Sequence, residues 1–318
     1  MKKYFDCSIN ELSNKLHNSV SLGPIENDIM KDLGKYASLY GWERIYDYKQ
    51  ADLFVTNGFY IDEILEWSDK HSIAKIKRMD GIYWKDAQKE KNIIYNKAAK
   101  ESDYVIFISN YSKLALYKLY NYLPKNYTII LNNVDNTIFF PKKHKNDNFT
   151  LISSATNWSR EEKRLNSLLE LSRIIDKTDV IRLIGQCDII LPKNIIKIGY
   201  ISEQNRMNDF ISTSDAYLSL YFRDAGSKTT CQAVNCHLPI LYSNSGGLSE
   251  LVQTNGIKLD DYKNIDFLSY VPELSILDLH NKYRLLKKYY KDIINKYQER
   301  ESYQETLSKY FEIFKMYS

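Results

Sequence analysis

Short apolar runs alternate with segments of helical periodicity along most of this 318-residue chain. Such alternation is typical of a parallel α/β sheet, in which a crossover helix follows each strand. In the first half the predicted strands are 53–57, 73–78, 104–108 and 127–131. The predicted helices between them are 26–40, 60–70, 87–100 and 111–121. The first half therefore predicts one α/β domain.

The polar segment from Pro141 to Asn148 interrupts this pattern and is typical of a linker. The alternation then starts again. The predicted strands are 150–153, 180–184, 195–198, 216–220 and 240–242, and the predicted helices are 162–175, 203–212, 228–236 and 247–253. We therefore expect an N-terminal domain over 1–141 and a second one over 142–275. Ligands of such sheets bind beyond the carboxyl ends of the strands.

The tail, 276–318, is polar and helical. One apolar stripe recurs in it at helical spacing: Tyr283, Leu286, Tyr290, Ile293 and Tyr297. We expect these helices to pack back on the body of the protein and to cross back to the N-terminal domain. The alternative is a membrane-surface face made of Lys282, Arg284, Lys287, Lys288 and Lys291.

Composition narrows the functional classes. The hydrophobic content of 44% supports a substantial core, and the net charge of +4 gives no support to nucleic-acid binding. The four cysteines do not form a disulfide scaffold, and no His or Cys cluster has zinc-binding spacing. Neither a signal peptide nor a membrane span is visible in the sequence, so we expect a cytoplasmic protein, with peripheral membrane contact left open.

The loop after the predicted strand 150–153 contains three basic residues at the start of a helix: Arg160, Lys163 and Arg164. Lysine supplies a point charge and arginine a bidentate fork, so this loop is a candidate pyrophosphate site. The alternative is an ordinary solvated helix start.

The segment that begins at Asp224 follows the predicted strand 216–220. Gly226 and Ser227 let the backbone approach a ligand closely, and Lys228 adds a donor. Gln232 lies about two helical turns further on, so it and Asp224 would reach different parts of one elongated ligand. A helix start suits the phosphates of a phosphorylated sugar. The alternative is that Asp224 merely caps the helix.

This segment resembles the donor-binding motif of the family-four glycosyltransferases. The family motif is Glu, seven residues, Glu-Ala, then Gly-x-Pro and a Gly-Gly-x-x-Glu turn. Here it reads Asp224, seven residues, Gln232-Ala233, His237-Leu238-Pro239 and Gly246-Gly247-Leu248-Ser249-Glu250. Both signature glutamates are therefore altered, and His237 replaces a glycine.

Other segments agree with the family in order, and the resemblance spans about residues 50–258. Asn157-Trp158-Ser159…Lys163 resembles a Trp-Ser…Lys-Gly phosphate-binding loop, and Asn132-Asn133-Val134-Asp135 resembles an Asn-Gly-Val-Asp hinge. Ser109–Lys113 and Arg78-Met79-Asp80-Gly81 also have counterparts in the family. The resemblance implies the GT-B fold: two Rossmann-like domains facing a central cleft, with a C-terminal helix packing back on the body.

The resemblance also implies an activity. It is retaining transfer of a sugar from a UDP- or GDP-sugar to a glycan, lipid-linked or protein-linked acceptor, with no metal or cofactor. Lys163, with Arg160 or Ser159, would hold the diphosphate, and Asp224 would bind the donor sugar. The remaining implied donor contacts are Ala225, Gly226, Ser227 and Lys228 beside the sugar and phosphates, Gln232 on the ribose, and Tyr200 near the base.

On the acceptor side the candidates are Arg78 and the residues Gly23 and Asn27, which lie in a loop expected to face the cleft. Asp80 is the candidate that orients or deprotonates the acceptor hydroxyl, and the alternative is a structural ion pair between Arg78 and Asp80. Two other functions stay open. One is a non-catalytic nucleotide-sugar sensor or assembly subunit, and the other is a different GT-B enzyme, such as an epimerase or a DNA glucosyltransferase.

Overall fold

The computed structural model describes residues 1–7, 29–82, 89–261 and 270–318. The chain divides into two compact units. Unit 1 combines Met1–Leu131 with Gln304–Ser318, and unit 2 comprises Asn132–Tyr303.

Unit 1 is built on a six-stranded parallel sheet. Its strands are Lys2–Asp6 (β1), Trp42–Ile45 (β2), Leu53–Thr56 (β3), Ala74–Met79 (β4), Tyr104–Phe107 (β5) and Tyr127–Ile129 (β6). They lie in the order β2-β1-β3-β4-β5-β6. The helices between them are Ile29–Tyr36 (α1), Asp62–His71 (α2), Lys89–Lys100 (α3) and Asn110–Tyr120 (α4).

The last helix of the chain, Tyr303–Met316 (α10), packs in unit 1 although it follows unit 2 in sequence. Phe314 lies edge-on to Trp42, with ring centroids 5.5 Å apart, and Phe311 stacks on Tyr40 at 4.6 Å. Burial of these large aromatic rings stabilises the unit, because aromatic side chains remove more apolar surface from water than other residues.

Unit 2 repeats the architecture. Its strands are Thr150–Asn157 (β7), Val180–Gln186 (β8), Ile195–Gly199 (β9), Ala216–Ser219 (β10), Ile240–Tyr242 (β11) and Gly256–Lys258 (β12). All neighbouring strands are parallel, in the order β12-β11-β10-β7-β8-β9. Its helices are Leu165–Ile174 (α5), Gln204–Ser212 (α6), Lys228–Asn235 (α7), Leu248–Val252 (α8) and Ile276–Asn295 (α9). The direction of strand succession reverses between β7 and β10, which is where open α/β sheets bind ligands.

The tail helix α9 packs on unit 2. Leu279, Tyr283 and Leu286 are buried in the core of this unit, and Tyr290 lies edge-on to Phe149 at 5.1 Å. Packing of the apolar stripe is therefore confirmed. Within the described part of the chain, no helix is long and apolar enough to cross a membrane.

The predicted α/β class and its two sheets are confirmed, but three strands escaped prediction. They are the terminal β1, the edge strand β12 and the edge strand β2. β2 and β12 each mix apolar with charged residues because one of their edges lacks a strand neighbour, and β1 begins with two lysines. None of them therefore has the continuous apolar run that marks a buried parallel strand.

Candidate functional site

A lysine–aspartate pair lies beyond the carboxyl ends of β7 and β10, the two strands at the reversal. Lys163 ends a short 3₁₀ turn, Glu161–Lys163, in the loop after β7, and Asp224 lies in the loop after β10. Lys163 Nζ is 3.4 Å from Asp224 Oδ2, and the two side chains are 16% and 19% exposed. Lys163 Nζ also lies 4.3 Å from the ring centroid of Tyr221. The structure thus brings two predicted site residues together.

The loop carrying Lys163 is fixed at its base. The indole of the buried Trp158 donates a hydrogen bond to Ile184 O at 2.8 Å, and the Ser159 N–H donates to Asn157 Oδ1 at the same distance. These bonds explain the Asn-Trp-Ser sequence before the turn. The first residue of that sequence closes a local Asx-type turn, and the second anchors the loop to β8.

Asp224 is held mainly through its backbone. It forms a parallel bridge with Gly246, and its carbonyl accepts the Gly247 N–H at 2.8 Å. Gly246 has a φ of +88°, and a Cβ there would lie 2.3 Å from Asp224 O. Glycine is therefore required at position 246, because a second backbone approaches it closely. Asp224 Oδ1 also accepts the Gly226 N–H at 3.1 Å.

Helix α7 starts directly after this loop. Ser227 is its N-cap, and the Ser227 hydroxyl accepts the Thr230 N–H at 3.2 Å. The alternative in which Asp224 caps the helix is therefore wrong. The Asp224 carboxylate instead contacts the Gly226 N–H and the Lys163 ammonium. Asn132, from the hinge-like motif, donates its side-chain amide to Gly226 O at 2.6 Å. The loop that carries Asp224 is thus held both by the bridge to Gly246 and by the hydrogen bond from Asn132.

A network of buried hydroxyl groups lies beside the loop that carries Asp224. The Tyr217 hydroxyl donates to Thr229 Oγ1 at 2.9 Å and lies 3.0 Å from the Tyr221 hydroxyl, which donates to Ser154 O. Burial holds the pKa of Tyr217 well above its ordinary value, so the phenol stays protonated. Satisfied networks of this kind rigidify a site.

Gln232, on the second turn of α7, is 4% exposed. Among the described residues its side-chain Oε1 has no hydrogen-bond partner. Leaving a buried acceptor unpaired costs about 1–3 kcal/mol. A ligand hydroxyl that reached this oxygen would remove that cost.

The other predicted donor residues are more dispersed. The Arg160 side chain is 58% exposed and pairs with Glu162, with Nε 2.7 Å from Oε1. Burial alone would raise the pKa of Glu162, but its own backbone N–H and Arg160 outweigh burial and hold that pKa below its usual value.

Tyr200 follows the edge strand β9 and is 42% exposed. Two strand spacings separate β9 from β7, or roughly 10 Å.

The remaining predicted donor residues lie in or beside the loop of Asp224. Ala225 and Ser227 are buried, and Gly226 and Lys228 are half-buried. All four stand at the start of α7, so the loop contributes backbone N–H groups and one cationic side chain to the same edge of the sheet. Their assignment to a donor sugar and its phosphates stays a prediction.

Two positions where the resembled motifs have glycine carry larger residues in a left-handed conformation. His237 has a φ of +59° just beyond α7, and its ring stacks on Tyr297 at 4.0 Å. It follows the far end of α7, about 12 Å from the helix start. An effect of His237 on the donor would therefore be indirect.

Arg164 is the second such position, with a φ of +53°. Its side chain is 2% exposed and pairs with Asp261, with Nη1 2.8 Å from Oδ2. The sequence indicates Arg164 as one of three basic residues at this helix start, but the resemblance assigns it no contact with the donor. The usable signal was an arginine standing where the Lys-Gly motif has glycine.

In unit 1, Arg78 is 4% exposed, and its Nε donates to the Tyr310 hydroxyl at 3.1 Å. Its guanidinium also pairs with Asp80, whose side chain is 51% exposed. The ion pair therefore exists, and the catalytic role of Asp80 stays a prediction. Gly23 and Asn27 lie outside the described residues.

Within the described ranges, no group of three or more His, Cys, Asp or Glu side chains is placed to hold a metal ion. The four cysteines, Cys7, Cys187, Cys231 and Cys236, are free thiols.

Comparison with known proteins identifies the fold. No protein-family profile matches the sequence, and no curated protein matches it significantly. Several solved structures resemble this chain across nearly its whole length. Sucrose-phosphate synthase from Thermosynechococcus elongatus has a TM-score of 0.72 at 11% identity, covering 99% of both chains.

HepE from Anabaena, solved with UDP and glucose, has a TM-score of 0.65 at 12% identity and covers 99% of both chains. A glycosyltransferase from Rickettsia africae has a TM-score of 0.59 at 17% identity, covering 99% of this chain and 90% of its own. At these identities the likeness establishes the fold alone. The chain has the GT-B fold.

Proposed function

We propose that this protein is a glycosyltransferase that takes its sugar from a nucleotide-sugar donor bound by unit 2. The observation that carries the proposal is the Lys163–Asp224 pair, 3.4 Å apart at the reversal between β7 and β10. A cation and a carboxylate at this place suit the two ends of a sugar diphosphate. The lysine would bind phosphate oxygens, and the carboxylate would accept hydrogen bonds from sugar hydroxyls.

Charge development explains why the lysine would matter to the reaction. Negative charge grows on the diphosphate as its bond to the sugar breaks, so a fixed ammonium stabilises the transition state more than the ground state. Lys163 is suited to this role because only 16% of its side chain is exposed, and electrostatic interactions strengthen where water is excluded.

The pairing of Lys163 with Asp224 does not block a donor. A close charge-assisted hydrogen bond measures about 2.7–2.9 Å, so a 3.4 Å pair is loose. A diphosphate would compete for the ammonium and leave the carboxylate for the sugar. Gln232 would then pair its unsatisfied Oε1 with a ribose hydroxyl.

The proposal includes UDP or GDP as the nucleotide, retention at the anomeric carbon, and a glycan, lipid-linked or protein-linked acceptor. Retention and acceptor class are supported by the resemblance to family-four motifs. UDP is the first nucleotide to test, since HepE shares the fold and was solved with UDP and glucose. No metal is proposed because Lys163 and the N–H groups at the start of α7 supply positive potential for the diphosphate.

The test begins with a thermal-shift screen of UDP, GDP and their common sugar conjugates. We expect one nucleotide to raise the melting temperature of the wild type and not that of Lys163→Ala. Lys177→Ala is the matched control, because Lys177 is an exposed lysine of the same unit. Absence of a shift with every compound would contradict donor binding.

Turnover is tested with the conjugate that binds best. We expect release of the nucleoside diphosphate in the presence of EDTA and, with an acceptor, a product whose anomeric configuration matches the donor by NMR. An inverted product would reject retention, and loss of activity in EDTA that added metal restores would reject metal independence.

A second candidate function is nucleotide-sugar binding without transfer, as in a sensor or assembly subunit. It is favoured by one observation: both signature glutamates are replaced, by Asp224 and Gln232, and Asp224 is engaged by Lys163. Tight donor binding with neither hydrolysis nor transfer across many acceptors would select this candidate.

A further inference from the structure

Arg164 occupies a backbone position that favours glycine. It directly follows the 3₁₀ turn that ends at Lys163 and immediately precedes α5, with φ and ψ of 53° and 46°. The resembled phosphate-binding motif has glycine here, which adopts this left-handed conformation without steric cost. An arginine at this place requires a compensating interaction of its side chain.

That interaction is a buried guanidinium network. Arg164 Nη1 donates to Asp261 Oδ2 at 2.8 Å, to Ser243 Oγ at 3.2 Å and to Leu220 O at 3.3 Å. The guanidinium carbon also lies 4.9 Å from the ring centroid of Phe222. Arginine is suited to such a junction because its guanidinium stays charged. Only Nη1 makes the hydrogen bonds here, and among the described residues the buried Nε and Nη2 have no partner.

The carboxylate of Asp261 extends the network. It accepts the Ser243 hydroxyl and the Asn244 N–H, both at 2.6 Å, and its side chain is 6% exposed. The backbone adds a further link, because the Phe222 N–H donates to Glu162 O at 2.8 Å.

The network joins four loops that follow adjacent strands. Arg164 comes after β7, Leu220 after β10, Ser243 after β11 and Asp261 after β12. Two of these loops carry Lys163 and Asp224, and the third contains the glycine turn that holds the Asp224 backbone. The network therefore links the loops that carry Lys163 and Asp224 with the loop that contains the glycine turn.

We propose that Arg164, through Asp261, is a positioning residue for the donor diphosphate. It does not touch the donor. It fixes the turn that aims Lys163 and the loop that carries Asp224. The proposal rests on the proposed function of this site.

Steady-state kinetics distinguish a positioning role of Arg164 from a purely stabilising one. If Arg164 aims Lys163, its loss misplaces a charge that stabilises the transition state more than the bound donor, so kcat should fall by a larger factor than the donor KM rises. A misplacement of about 1 Å is enough to lower a rate about a hundredfold. A purely structural arginine would lower the melting temperature without changing kcat of the folded enzyme.

The variants are Arg164→Gly, Arg164→Lys and Asp261→Asn. Arg164→Gly keeps the backbone conformation and deletes the network, whereas Arg164→Lys keeps the charge with fewer donors. Arg182→Met is the control. Arg182 is a partly buried arginine on β8 of the same unit, and it donates to Phe210 O and Thr213 O, outside the four loops of the network.

We expect kcat to fall about tenfold or more in Arg164→Gly and Asp261→Asn, with donor KM within about threefold of the wild type. Arg164→Lys should recover part of the loss, and Arg182→Met should keep the wild-type kcat below its melting temperature. In a double-mutant cycle, Arg164→Gly should add little to the loss caused by Lys163→Ala. Wild-type kcat in Arg164→Gly, or additive losses in the cycle, would overturn the proposal.

Hydrogen exchange tests the proposal even if no donor is ever turned over. Amides of 220–227 and 243–247 should exchange about tenfold faster in Arg164→Gly than in Arg182→Met, because the network restrains both loops. Unchanged exchange would overturn positioning whatever the enzymology shows. Faster exchange in a protein that binds no nucleotide would instead reject the proposed function and leave the loop restraint established.

Discussion

Gly246→Ala is the substitution for which the structure predicts the sharpest effect. A Cβ at this position would lie 2.3 Å from Asp224 O, 2.8 Å from Asp224 N and 2.9 Å from Asp224 C. Real Cβ atoms essentially never approach other atoms closer than 3.0 Å, so the Asp224 backbone would have to move by about 0.7 Å. The atoms in the way belong to main chain that is itself hydrogen-bonded to Gly247, and no flexible side chain can relieve the contact.

Two costs add in this variant. An alanine at a φ of +88° costs about 1–2 kcal/mol through its left-handed conformation. The collision adds about 1–3 kcal/mol, as in other overpacked sites. Gly41→Ala separates them, because Gly41 has a φ of +78° and a Cβ there would have nothing within 4 Å.

The assay is thermal unfolding of both variants, followed by donor turnover. We expect Gly246→Ala to melt on the order of 5 °C below Gly41→Ala, at about 2–4 °C per kcal/mol for a unit of this size. Turnover should fall about tenfold to a hundredfold in Gly246→Ala and stay at the wild-type level in Gly41→Ala. Equal melting temperatures and equal turnover would refute the claim that the Gly-Gly turn sets the position of Asp224.

Three further predictions concern separate features of unit 2. Asp224→Asn should bind the free nucleoside diphosphate at least as tightly as the wild type, by calorimetry, while turnover falls about tenfold or more, because the amide no longer competes for the neighbouring ammonium. His237→Ala should lose about 1 kcal/mol in urea unfolding with its stacking on Tyr297, and His237→Gly should recover about that amount by relieving the left-handed backbone. A hydrogen bond from Lys287 holds the pKa of Asp176 below its ordinary value. The ionised Asp176 carboxylate therefore stabilises the folded protein fully above about pH 4, and this stabilisation is lost as the pH falls through the lowered pKa. Asp176→Asn should therefore lower the melting temperature at pH 7 and leave it unchanged near pH 2, and an equal loss at both pH values would contradict this linkage.

Most of the fold was predictable because each buried parallel strand has its own apolar run. The strands β7, β8 and β10 and the helices α5 and α7 match the predicted segments within a few residues. The strands that escaped prediction are terminal or at an edge, where half-exposed positions tolerate charged residues and remove the signal.

The sequence indicates the two residues that the structure brings together in the candidate site, but not the contacts that support them. The order of the motifs indicates Lys163 and Asp224, and the structure places Lys163 Nζ 3.4 Å from Asp224 Oδ2. The pairing of Arg164 with Asp261 was not visible in sequence, since 97 residues separate the two and their contact depends on strand order. The same holds for the bridge between Asp224 and Gly246.

The pairing of Arg160 with Glu162 shows another limit of sequence reasoning. A basic residue in a phosphate-binding loop suggests a ligand contact. The orientation of the Arg160 side chain, however, depends on its ion pair with Glu162, two positions further on. Whether Arg160 leaves Glu162 to contact a diphosphate stays a prediction that a donor complex would test.

Calorimetric titration of UDP and GDP into the wild type, Lys163→Ala and Lys177→Ala tests the central claim most directly. We predict saturable binding of one nucleotide to the wild type and to Lys177→Ala. In Lys163→Ala the affinity should fall at least about tenfold, which is 1.4 kcal/mol of binding free energy. Equal affinity in all three proteins, or no binding to any of them, would contradict a donor site built around Lys163 and Asp224.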